Sequence, residues 1–135
     1  MKELDTICET GLRFFGKVSA SISHEIKNSL AVINENAGLL EDLTLMAKKG
    51  MELDPTRLRG LAQKLLDQVQ RSDGIVKNLN RFAHSIDETG KRVDVVETAN
   101  FTALLAARLA SGRDVILKTV PPEKPITMIA SPFFL

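Results

Sequence analysis

The sequence predicts a mainly α protein: a long antiparallel helical hairpin forming a homodimeric four-helix bundle, with a small partial α/β segment at its C-terminus. Three observations predict it. From about residue 4 to residue 48, apolar side chains recur three to four apart, and no proline interrupts them. Leu58, Leu61, Leu65, Gln68, Ser72, Ile75, Leu79, Phe82 and Ile86 then alternate three and four apart without a slip, which is a heptad pattern. After Gly90 that spacing gives way to short Val- and Ile-rich runs punctuated by Gly and Pro.

Composition narrows the class of function. The chain has 135 residues, 44% hydrophobic and 26% charged, which suits one soluble domain or a small domain plus a fragment of another. A net charge of +1 gives no reason to propose nucleic acid or an anionic membrane as partner. No apolar run approaches the roughly 20 residues that a membrane span needs, and the N-terminus lacks a signal-peptide pattern. The single cysteine, Cys8, excludes an intrachain disulfide and fits a reducing compartment; it reads as a small buried apolar residue.

The first helix, about 4–48, tolerates Gly11, Gly16 and Gly38 without ending. It would be on the order of 65 Å long, too long to be buried within so small a monomer. Lys48-Lys49-Gly50 is a stop signal, a basic last turn followed by glycine. Met51 to Leu53 connect, and Asp54-Pro55 restarts a helix with aspartate as N-cap and proline at the first position. Ala62, Val69, Val76 and Ala83 widen the stripe of the second helix, Gln68 and Ser72 make its middle polar, and Gly90 stops it. Each stripe is wider than one neighbouring helix can cover. Pairing two hairpins buries the remainder, so a homodimer is expected.

Beyond Gly90, Arg92–Glu97 reads as a strand and Thr102–Ala110 as a short helix ending at Ser111-Gly112. Asp114–Val120 and Ile126–Ala130 read as two strands joined by Pro121-Pro122-Glu123-Lys124-Pro125. Ser131-Pro132 reads as the cap and first residue of a further helix, which the sequence leaves three residues later on Phe-Phe-Leu, so a truncation is expected. The expected domains are 1–90, the hairpin, and 91–135, an incomplete α/β piece.

Chemistry concentrates at Ser23-His24-Glu25-Ile26-Lys27-Asn28. On a helix wheel Val18, Ile22, Ile26, Leu30 and Ile33 fall opposite His24, while Lys17, Ala20, Lys27, Asn28, Ala31 and Glu35 fall on its own side. His24 therefore belongs to the wet face. A neutral imidazole is a nucleophile, and a carboxylate accepting its other ring N–H fixes the tautomer; Glu25 is the adjacent acid. Asn28, one turn on, leans back toward His24 and offers an amide to a water or a phosphoryl oxygen. A zinc site would need His-Glu-x-x-His, and the fifth position is Asn28.

The run from Phe14-Phe15 through Ser23-His24-Glu25-Ile26-Lys27-Asn28-Ser29-Leu30 resembles the phosphoacceptor box of sensor histidine kinases. The likeness is close over about residues 10–45 and extends to the hairpin as far as about residue 90. It implies that His24 is the phosphoacceptor, autophosphorylated from ATP and Mg²⁺ by an ATP-binding domain of its own kinase. It implies further that Glu25 orients and activates His24, that Asn28 positions a phosphatase water, and that the phosphoryl group passes to an aspartate on a response-regulator receiver domain. Where the family usually has proline after the Asn28 position this chain has Ser29, so a straighter helix is expected. The family's ATP-binding domain begins strand, helix, strand, strand; its asparagine and glycine-rich boxes are absent here, so this fragment should bind no cofactor and be inactive with ATP alone. The resemblance implies a cytoplasmic location, in a parent that can be membrane-anchored through other segments. Two alternatives stand beside it: a histidine phosphotransfer relay protein with no working ATPase domain, and a non-catalytic helical dimerisation module.

Other residues read more plainly. His84 lies off the second stripe and reads as solvated, and Lys27 as a solubilising charge or a phosphate counter-charge. Arg57, Arg59, Lys64, Arg71, Lys77 and Arg81 form a solvated basic side near which the family docks its acidic receiver domain.

Overall fold

The structure, a computed structural model, describes residues 2–87, 90–111 and 114–135. In chain order it holds α1 (Lys2–Lys48), α2 (Pro55–His84), β1 (Lys91–Asp94), α3 (Val95–Ser111), β2 (Thr127–Ala130) and a 3₁₀ turn at Pro132–Phe134. Two long helices packed together and a two-stranded sheet confirm the mainly α class.

The expected punctuation is realised. At the end of α1 the Gly50 N–H donates to the Ala47 carbonyl (2.9 Å) and the Met51 N–H to the Met46 carbonyl (3.2 Å), with Gly50 at φ +89°. That is a Schellman close, which needs a residue tolerant of the left-handed region. Asp54 caps α2 by accepting the Thr56 N–H at 2.8 Å, with Pro55 at the first helical position. α1 runs unbroken through Ser29.

The chain divides into two compact units, residues 23–77 and residues 1–22 with 78–135. In the first, the closed end of the hairpin, α1 buries Ser29, Asn36 and Leu43, seven apart, and α2 buries Leu61 and Ile75. Two of those three α1 positions are polar. Asn36 donates to the Val32 carbonyl at 2.7 Å, and half-buried Ser72 donates to the Gln68 carbonyl at 2.9 Å. Asn36 and Ser72 are thus each satisfied by their own helix, which avoids the cost of a bare buried donor. Leu30, Val69 and Val76 stay 55%, 54% and 41% exposed, so each helix presents an uncovered apolar edge.

The second unit buries Val18, Ile22, Phe82, Val93 and Leu105. Phe82 is its hub, edge-on to Phe14 (5.9 Å between centroids, 85°) and tilted against Phe15 (5.4 Å) and Phe133 (6.1 Å). A Cβ at Gly11 would stand 3.3 Å from the Phe133 ring, so the glycine leaves room for that ring. Arg81 donates to Glu97 at 2.7 Å and lies 4.2 Å over the Phe101 ring, tying α3 to α2. β1 and β2 pair antiparallel, Lys91 opposite Ala130 and Asp94 opposite Thr127.

Past residue 84 the expectations need correcting. α2 ends at His84, short of the stop expected at Gly90 and before Ile86 of the expected stripe, in a turn over 85–87. The first strand ends at Asp94, and Val95 to Glu97 begin α3 well before Thr102. The Asp94 carboxylate is the reason: it accepts the Val96 N–H at 2.8 Å and the Glu97 N–H at 3.2 Å, and this cap overrides the β preference of two valines. No strand forms at 114–120; Ile116 and Val120 are 83% and 91% exposed, and β2 pairs with β1. The helix expected from Ser131-Pro132 is a single 3₁₀ turn, with no capping bond from Ser131. Cys8, expected to be buried, is exposed.

Candidate functional site

Four residues on two helices make the site. Around α1, at about 100° per residue, Glu25, Asn28 and His24 follow one another away from the buried line of Ser29 and Asn36, while Leu30 lies on the other flank. His24 and Asn28 are exposed, and Glu25 is half-buried toward α2. Around α2, buried Leu61 and Ile75 separate Val69 and Val76 on one flank from Arg71 on the other. The histidine and the uncovered apolar edge therefore occupy opposite flanks of the hairpin. Covering the edge leaves His24 open.

Asn28 Nδ2 stands 3.3 Å from His24 Nδ1, the i, i+4 pair that a helix brings together. An amide is a versatile neighbour for an imidazole. Its NH₂ donates to Nδ1 when the ring proton is on Nε2, and turned over its oxygen accepts Nδ1–H. In the second arrangement Nε2 carries the free lone pair of an exposed ring. Nδ1 is engaged in both, so Nε2 is the nitrogen open to an incoming electrophile.

The Glu25 carboxylate reaches toward α2, with Oε2 3.8 Å from Arg71 Nη2. The Glu25 side chain is 23% exposed and that of Arg71 61%, so the carboxylate is the more enclosed partner. The structure thus brings His24 and Asn28 into direct contact and directs Glu25 toward α2. Sequence reasoning placed Arg71 on a general basic side; its position across the α2 stripe from Val69 is the signal that assigns it to the histidine's flank. Two other members of that basic side are also engaged within the chain, Lys77 with Asp73 and Arg81 with Glu97, each at 2.7 Å. The bond to Asp73 raises the Lys77 pKa. His84 is exposed, 3.9 Å from Asp87.

Among the described residues no group of three His, Cys, Asp or Glu side chains is placed to hold a metal ion. No described helix is long and apolar enough to cross a membrane. A cavity of about 420 Å³ lies in the second unit between Phe14, Phe82, Phe101 and Phe133, with Arg81 and Arg92 on its wall. None of His24, Glu25 and Asn28 lines it.

Residues 16–88 match the family model of the His Kinase A (phospho-acceptor) domain, more than half of the chain, and the match encloses His24, Glu25, Asn28 and Arg71. No curated protein matches the chain.

Proposed function

The chain belongs to the His Kinase A phospho-acceptor family, and from that premise we propose that it is the phosphoacceptor and dimerisation part of a two-component sensor histidine kinase. His24 accepts the γ-phosphoryl group of ATP and passes it to a response-regulator aspartate. The observation that carries this reading is an exposed imidazole whose Nδ1 lies 3.3 Å from the Asn28 amide, which leaves Nε2 as the ring nitrogen outside that contact.

The chemistry follows from that geometry. With Nδ1–H held by the amide oxygen, the Nε2 lone pair attacks phosphorus. A P–N bond forms, the bond to the β,γ-bridging oxygen breaks, and ADP leaves with that electron pair. The transferred charge enters a site flanked by Lys27 and Arg71. Glu25, one residue along, orients the imidazole and supports the positive charge that develops on it. For the phosphatase reaction, Asn28 positions a water that attacks the phosphorus of an aspartyl phosphate docked over His24, so that the acyl P–O bond breaks and inorganic phosphate and the free aspartate are released.

ATP and Mg²⁺ are bound by the kinase's ATP-binding domain, whose first elements residues 91–135 supply. The uncovered edges at Leu30, Val69 and Val76 pair with a second copy. The receiver domain docks on the flank that carries His24 and the basic residues Arg57, Lys64 and Arg71, in the cytoplasm.

Incubating the chain with ATP and Mg²⁺ should leave it unphosphorylated. Adding the ATP-binding domain of its kinase should phosphorylate it, giving an acid-labile, base-stable product that His24→Gln does not form. Labelling by ATP alone, or equal labelling of His24→Gln, would contradict the proposal.

A further inference from the structure

Arg71 crosses from α2 to the enclosed carboxylate of Glu25, on the flank that carries His24 and at the same level along α1. At 3.8 Å the pair is an ion pair without a close hydrogen bond. Solvent-exposed pairs of this kind contribute little to stability. Its position gives it another use. A cation held against Oε2 restricts rotation of the carboxyl group, and with it the direction in which the second oxygen points. Of the rotamers a three-bond side chain can adopt, only some turn the carboxylate toward the neighbouring imidazole.

From this we infer that Arg71 is a positioning residue for phosphoryl transfer: it anchors the Glu25 carboxylate across the hairpin, and so sets how that carboxylate meets His24. The inference rests on the phosphoacceptor reading and deepens it. It also separates Arg71 from its basic neighbours on α2, because Lys64 and Arg57 share its flank but lie one and two heptads nearer the loop, away from the level of His24. Arg71 acts through Glu25, so its effect vanishes where Glu25 has lost its charge.

The test uses the chain itself and potassium phosphoramidate, a small phosphodonor that needs no kinase domain. Nε2 attacks phosphorus, the donor's P–N bond breaks, and ammonia leaves, taking up the proton released from the imidazole. The readout is the initial rate of phosphate incorporation at His24. Arg71→Gln should slow labelling roughly 5- to 10-fold, less than the roughly 10²-fold expected of Glu25→Gln. Arg71→Lys should recover most of the rate, because a long ion pair needs a charge rather than a forked donor. The double variant Glu25→Gln/Arg71→Gln should be no slower than Glu25→Gln alone.

Helicity and dimer mass should be unchanged throughout, which a purely structural role for Arg71 would not allow together with the rate loss. Wild-type rates in Arg71→Gln, or losses that multiply in the double variant, would overturn the inference while leaving the phosphoacceptor reading intact. A wild-type chain that takes no phosphate at His24 would overturn both.

Discussion

Placing a carboxylate on the uncovered edge of α2 should abolish dimerisation. Val69 is 54% exposed, Val76 41% and, on α1, Leu30 55%. Fully burying such a side chain is worth roughly 1.5–3 kcal/mol, so covering the exposed half of each contributes about 1 kcal/mol, and twofold symmetry counts each twice. These three positions then supply about 6 kcal/mol toward a micromolar dimer, which requires about 8 kcal/mol. Val69→Asp removes about 1 kcal/mol per protomer and adds the desolvation of a carboxylate, at least about 2 kcal/mol more on each side. The summed loss of about 6 kcal/mol raises Kd by about four decades. Light scattering at micromolar concentration should give about twice the 14.8 kDa chain mass for the native sequence and one chain mass for Val69→Asp. Ala31→Asp, on the exposed flank that carries His24, serves as control and should remain dimeric. A dimer that survives Val69→Asp would refute the assignment of this edge.

Phe82 is 7% exposed and touches three other rings, so Phe82→Ala should cost about 3–5 kcal/mol. An unfolding free energy from denaturant titration lowered by less than about 1 kcal/mol in that variant would show that the cluster is not close-packed. Asn28→Ala should leave phosphorylation of His24 within about fivefold, because an exposed 3.3 Å contact is worth under about 1 kcal/mol. The same variant should clearly slow regulator dephosphorylation; equal effects on both steps would contradict the separate roles given to Asn28 and Glu25.

The hairpin was legible because its signals are local and repeat. The heptads marked the stripes, Gly50 and Asp54-Pro55 marked the ends, and the wheel around His24 separated wet face from dry. Ser29 and Asn36 were harder to see. Both are polar, and only their seven-residue spacing with Leu43 marks them as buried. Leu30, grouped with the dry residues, is instead on the open edge, since a wheel does not say which part of a wide stripe the nearest helix covers. In the C-terminal segment local preference misled. Val95 and Val96 favour strand, but the Asp94 cap is a side-chain event that propensity does not weigh. Val115 to Val120 look like a strand and have no paired edge, and a strand is defined by its partner. At the site, the spacing of His24 and Asn28 was enough to anticipate their contact. The approach of Arg71 to Glu25 joins residues far apart in sequence, and only the packing of α2 on α1 reveals it.

The central claim is that His24 takes a phosphoryl group on Nε2 because Asn28 occupies Nδ1. Phosphorus NMR of the chain treated with phosphoramidate tests it most directly, since the two ring-nitrogen adducts have distinct resonances. One phosphohistidine signal is expected, from the Nε2 adduct, present in His84→Gln and absent in His24→Gln. A signal from the Nδ1 adduct, or one that survives His24→Gln, would contradict it.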